Sequence, residues 1–198
     1  MQILRKATYK RSTWKNGLGY TDEIAIFPPD STLVKGDFLW RLSSARIENA
    51  SPFSLFPSHD RVLVVLKGEG LRMIHNFEPG DPDDTSDVLP LQPYEFPGDV
   101  KSRCELLRGP ITDLSLFVRT GEMGSRVQVQ EIEPNHQDSW NPAARWNYCH
   151  IIEGKLTPIP GDMGDLGEGD TLSVPPGQIT LSAGESGAKL VWIELDAL

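Results

Sequence analysis

Gly169-Asp170-Thr171-Leu172-Ser173-Val174-Pro175-Pro176-Gly177 frames the reading of the whole chain. The Gly-Asp pair turns into a short strand, Thr171–Val174. Pro-Pro-Gly then turns out of it, with the last glycine free to take a positive φ. The spacing is G-x5-P-x-G. Outward from it, one order of strand, Gly turn, strand, Pro-Gly turn, strand occurs twice. VLKGEGL at 65–71 is matched by IIEGKL at 151–156. LQPYEFPGD at 91–99 is matched by LGEGDTLSVPPGQ at 166–178, and LSLFVR at 114–119 by LVWIEL at 190–195. A weak duplication of one small β-module accounts for this. Chance recurrence of Gly turns in an all-β chain is the alternative.

Further strands follow from alternation. In FLWRLSSAR (38–46), Phe38, Trp40 and Leu42 fall on one face and Arg41 and Ser43 on the other. Arg61–Leu66 is β-branched. Asp113–Arg119 sets Leu114, Leu116 and Val118 opposite Asp113, Ser115 and Phe117. Val127–Ile132, Tyr148–Ile152, Thr171–Val174 and Leu190–Leu195 complete the set. Asn141–Trp146 is expected to form one short helical turn. The 18 Gly and 16 Pro in 198 residues suit many short strands better than long helices.

Lys and Arg total 19 and Asp and Glu 28, a formal net charge of −9. Nucleic-acid affinity comes largely from cations releasing phosphate counterions, so no nucleic-acid partner is expected. Arg5, Lys6, Lys10, Arg11 and Lys15 precede the first acid, Asp22, but the chain as a whole repels a polyanion. EPGDPDDTSD (78–87) lacks EF-hand spacing and reads as a solvated, mobile surface loop. The longest wholly apolar run, Val62–Leu66, falls far short of the ~20 residues that span a bilayer, so no membrane role is expected. The N-terminus, MQILRKATYKRSTW, has no apolar stretch after its basic residues and does not read as a secretory signal. Cys104 and Cys149 form no CxxC pair. Two reduced thiols in a cytoplasmic protein are the favoured reading, with a bridge between them left open.

The 169–177 stretch resembles the second motif of the cupin superfamily. Metal-binding cupins carry a His and an Asn after it; here Thr180 and Gly184 stand at those places. There is no His-x-His pair, and His59, His75, His136 and His150 are scattered singly. Metal chemistry needs several such ligands converging, so no metal site and no cofactor are expected. His150, in a predicted strand, reads as a hydrogen-bonded structural residue.

Trp14-Lys15-Asn16-Gly17-Leu18-Gly19-Tyr20-Thr21-Asp22-Glu23-Ile24 is the most unusual local stretch. Its glycines permit close approach of a backbone to a ligand, but it fits neither the P-loop nor the dinucleotide fingerprint. With FLWRLSSARI (38–47), SPFSLFPSHDRVLVVLKGEGL (51–71), FPGD (96–99) and TDLSLFVR (112–119), it resembles the HutD/Ves family. Where that family has WKNGGGxT, this chain has Leu18 for the middle glycine and Tyr20 after Gly19; Ser115 stands where the family often has Asn. The resemblance implies an all-β bicupin of two tandem cupin-type jelly-roll barrels. Residues 1–122 would form the N-terminal barrel, its first strands able to pair with the second, and residues 123–198 the C-terminal barrel. It also implies a regulatory or protective role, linked to histidine utilisation or stress, through a small anionic metabolite such as urocanate or formylglutamate.

An inward-facing Arg41 demands an anion, supplied by Asp113 or by a ligand carboxylate, and Arg61 poses the same question. The expected ligand-binding set is Lys15, Asn16, Trp40, Arg41, Ser43, Phe56, Arg61 and Asp113. The arginines would grip the carboxylate, Asn16 and Ser43 would orient it, and Phe53, Phe56 and Trp40 would form apolar walls. FPS (56–58) reads as a turn. No catalytic residue is assigned. A metal-independent isomerase or hydrolase using Glu23 or Asp113 as general base is the first alternative, and a module assembling through sheet edges is the second. A homodimer is one option for assembly.

Overall fold

The structure is a computed structural model describing residues 1–14, 19–76, 84–159 and 163–198. It divides into two compact units, residues 10–122 and residues 1–9 with 123–198. Strand β1 (Gln2–Leu4) belongs to the second of these.

The first unit holds β2 (Lys10–Thr13), β3 (Gly19–Phe27), β4 (Trp40–Ile47), β5 (Ser51–Pro52) and β6 (His59–Lys67). It continues with β7 (Leu71–His75), β8 (Asp84–Val88), β9 (Tyr94–Pro97), β10 (Ser102–Leu106) and β11 (Ile111–Arg119). One sheet runs β2-β3-β4-β11-β6-β9 and the other β5-β10-β7-β8. Their shared core is Ile47, Leu63, Val65 and Ile111 from the first sheet with Leu71, Met73, Val88 and Cys104 from the second. Burying each such side chain contributes about 1.5–3 kcal/mol.

The second unit holds β12 (Met123–Ile132), β13 (Gln137–Trp140), β14 (Trp146–Ile159), β15 (Thr171–Val174) and β16 (Ile179–Ala197). Its sheet runs β1-β15-β14-β16-β12, with β13 also paired to β16. Ile151, Leu156, Leu172, Leu181 and Leu190 centre its core. Trp140 and Trp192 stack there, ring centroids 5.4 Å apart, and Trp140 Nε1 donates to Gln130 Oε1 at 2.7 Å.

Each segment expected to be a strand contributes to one, and β15 has the expected bounds. Two expectations fail. Asn141–Trp146 forms no helical turn: Ala144 and Arg145 make a bend, and Trp146 already begins β14. The segment's carbonyls bond elsewhere instead, Pro142 O accepting from Gly177 N and Ala144 O from Asn147 Nδ2. Asp84–Asp87, expected in a loop, lies in edge strand β8, whose Asp87 accepts from Arg72 across the ladder at 2.7 Å; residues 77–83 lie outside the described residues.

The two copies of the repeat differ at their glycines. Gly68, φ 99°, lies in the turn between β6 and β7, whereas Gly154, φ 83°, interrupts the register of one continuous strand, β14. A Cβ at Gly154 would sit 2.2 Å from Gly187 O, so the bulge there requires glycine. Both cysteines are buried free thiols. Among the described residues no helix is long and apolar enough to cross a membrane.

Candidate functional site

Antiparallel register builds the site in rows across the first sheet. Arg41 on β4 lies opposite Phe117 on β11, which lies opposite Arg61 on β6, which lies opposite Phe96 on β9. The next row joins Glu23, Ser43, Ser115 and Leu63. The third joins Thr21, Ala45, Asp113 and Val65. Two register shifts fall beside the acids of these rows, one between Glu23 and Ala25 and one between Thr112 and Asp113. Bulges of this kind re-aim side chains and bend the strand.

A cavity of about 790 Å³ opens on this face. Arg41, Ser43, Phe56, Arg61 and Asp113 from the expected set all line it, as does Phe53. Lys15 and Asn16 lie outside the described residues. Trp40 does not line the cavity: it is 2% exposed and stacks on Phe27 at 6.1 Å. The pleat decides this, because neighbouring residues of a strand point to opposite faces and Arg41 takes the cavity side.

The two arginines have different surroundings. Arg41 Nε donates to Glu23 Oε2 at 2.8 Å, and its Nη1 donates to Ser43 Oγ at 3.0 Å. Its internal acid is thus Glu23, not the Asp113 considered from sequence. Arg61 is 6% exposed, and its Nε is buried with no hydrogen-bond partner. Aromatic faces surround it, with the Phe117, Phe53 and Phe96 centroids 4.5, 4.8 and 4.8 Å from its Cζ. Rings stabilise a cation through their quadrupoles but accept no conventional hydrogen bond. Burial pushes the guanidinium pKa down to about 10, opposed by the charge of Asp113.

Asp113 is 1% exposed and accepts from Ala45 N at 3.2 Å. Burial pushes its pKa up to about 7, against the pull of Arg61, the Ala45 amide and the Ser115 hydroxyl. The floor of the cavity therefore combines a desolvated, under-bonded cation, an acid with high proton affinity and several aromatic rings. That combination suits a small anion with an apolar body.

The FPS turn is present: His59 N donates to Phe56 O at 3.2 Å, and Ser58 has φ 64°. It carries Phe56 over the cavity, edge-on to Phe117 at 4.8 Å. Among the described residues no group of three His, Cys, Asp or Glu side chains is placed to hold a metal. His150 is a buried core residue whose Nδ1 lies 2.8 Å from Thr171 Oγ1, and burial pushes its pKa down to about 4.

Residues 6–191 match the model of the HutD family. The chain belongs to that family. An uncharacterized 21.2 kDa protein of the hutC 3′ region of Pseudomonas putida is 37% identical over 128 residues, 65% of this chain. The match spans 63% of that relative, less than two thirds of its length. A conserved protein of unknown function from Pseudomonas aeruginosa PAO1 shares 28% identity at a TM-score of 0.83, covering 98% of each chain. HutD from Pseudomonas fluorescens SBW25, solved in a formate condition, shares 28% identity at a TM-score of 0.76 over 100% of this chain and 98% of that one. Vicilin from Corylus avellana, at 9% identity, gives a TM-score of 0.72 over 98% and 85% of the two chains. That last likeness is one of fold alone, and the fold is all-β and cupin-like.

In this HutD-family chain, sequence reasoning left Phe117 and Phe96 out of the site and gave Glu23 no structural part. Alternation already put Phe117 on the face of Asp113. The pairing of Glu23 with Arg41 depends on the bulge in β3, which no local pattern announces.

Proposed function

We propose that this HutD-family chain is a cytoplasmic bicupin, its units being two cupin-type barrels divided near residue 122. The cavity of the N-terminal unit binds a small carboxylate, urocanate or formylglutamate being representative. Binding serves a regulatory or protective role connected with histidine utilisation; the hutC-region relative supports that connection. One observation carries the reading. Arg61 is buried in the cavity wall with Nε unpaired. A buried cation lacking hydrogen-bond acceptors is costly, and a carboxylate supplies both charge and acceptors. Arg41, already bonded to Glu23 and Ser43, frames the site beside it.

Thermal unfolding with formate, urocanate and formylglutamate tests this. Formate is included because the P. fluorescens HutD structure was obtained with it. At a hundredfold excess over Kd, a native-state ligand adds about 2.7 kcal/mol and raises the midpoint by several degrees. The shift should vanish in Arg61→Met. No shift with any of the three compounds would defeat the reading.

The high proton affinity of Asp113 favours a second reading, in which the cavity is a metal-independent isomerase or hydrolase with Asp113 as general acid–base. Turnover of urocanate or formylglutamate that is lost in Asp113→Asn would establish it.

A further inference from the structure

Asp113 and Arg61 share one cavity wall, and both are almost wholly buried. Asp113 accepts one backbone N–H, from Ala45, and the Ser115 hydroxyl favours its charged form. Arg61 is the cation whose field acts on it, and Asp113 acts on Arg61 in return. Among the described residues, the other charged groups on this side of the sheet are already engaged or exposed. From β4, Arg41 is held by Glu23 of β3 and by Ser43. From β2, Lys10 lines the cavity but is exposed. From β10, the buried Cys104 thiol has its pKa raised by burial and, in smaller part, by Asp113. At this wall, then, one cation and one acid face each other with little help from solvent.

A carboxylate arriving at Arg61 upsets that balance. One guanidinium would face two carboxylates in a site that screens poorly. Like charges so placed do not both stay ionised. Arg41 already has Glu23 as its counter-ion. The remaining course is protonation of the resident acid.

We propose that Asp113 is the resident counter-ion of Arg61, and that the site takes up a proton from solvent onto Asp113 when it binds a carboxylate anion. The proposal rests on the reading of the cavity as a carboxylate site. The balance is simple: a carboxylate anion, a solvated proton and the Asp113 carboxylate become a bound carboxylate on Arg61 and a neutral Asp113 carboxyl. No other bond changes. The neutral carboxyl gains an O–H donor for the bound anion or for Ser115. Before an anion binds, burial has pushed the Asp113 pKa up to about 7. Affinity is therefore flat below that value and falls up to about tenfold per pH unit above it. The site binds its ligand as if it were selecting the neutral acid.

Calorimetric titration of the full chain with formate and with formylglutamate tests this. Neither compound titrates between about pH 7 and 9. Runs at about pH 8 in phosphate and in Tris, whose ionisation enthalpies differ widely, should give heats that differ by the uptake of close to one proton per anion. Asp113→Asn mimics the neutral carboxyl. It should abolish the buffer difference, bind at least as tightly at that pH, and flatten the fall in affinity. Its melting curve checks that it is folded. Arg61-dependent binding with equal heats in both buffers would overturn the proton-uptake proposal and leave the carboxylate site standing. Failure of both anions to bind the wild type, or undiminished binding by Arg61→Met, would overturn both.

Discussion

At the scale of single residues, the site is defined by what Arg61 lacks. Arg41 has an acid and a hydroxyl as hydrogen-bond partners, whereas Arg61 has rings and the field of Asp113. Replacing Arg61 with Met should weaken carboxylate binding at least tenfold while leaving stability unchanged or slightly raised, because the buried cation's desolvation cost goes with it. Isothermal titration and urea unfolding report the two effects. Asp113 gives stability a pH dependence of definite sign. Folded, its carboxyl stays protonated up to about 7; unfolded, only up to its ordinary 3.8. Its contribution is whole below 3.8 and is lost as pH rises through 7, and Asp113→Asn should remove that decline. His150 acts in the opposite direction. Its imidazole stays neutral down to about 4 in the fold but protonates near 6.5 when unfolded. The stability it confers is whole above 6.5 and lost as pH falls through 4, a loss that urea unfolding of His150→Gln should no longer show.

At the scale of elements, the strands were legible and their irregularities were not. Alternation in 38–46 and 113–119 put Arg41, Ser43, Asp113 and Ser115 on the faces they occupy, since a half-buried strand repeats every two residues. The same rule opposes Trp40 to Arg41, so the two could not share one cavity wall. The bulges beside Glu23 and Asp113 depend on which strands pair and in what register, and no local window contains that information. Gly154 is another such case: as a turn signal it matched Gly68, yet it sits at a bulge inside β14. Gly154→Val should destabilise the C-terminal unit by about 2–4 kcal/mol, since its Cβ would meet Gly187 O at a strained φ. Gly167→Ala, where a Cβ meets nothing within 4 Å, should change stability by less than about 0.5 kcal/mol. Denaturation curves of the two variants side by side decide the point.

At the scale of the molecule, residues 1–9 belong to the unit formed by the C-terminal half. β1 pairs with β15, Gln2 lying opposite Ser173 and Leu4 opposite Thr171. Asp170, from the nine-residue stretch that opened the sequence reading, fixes this segment: it accepts from Arg5 Nη1 at 2.7 Å and from Lys6 N at 3.0 Å. Deleting residues 1–9 should therefore lower the melting temperature of the C-terminal unit and speed amide exchange in Thr171–Val174, with little effect on exchange in Trp40–Ile47. The stacked Trp140–Trp192 pair gives that unit an optical marker of its own. Two indoles this close couple their excited states, and a skew between their in-plane transition moments would give circular dichroism an exciton doublet that survives as long as this half of the chain is native. Melting of either half then becomes readable in one cuvette, without a label, by whether the doublet fades before, with or after the bulk β signal.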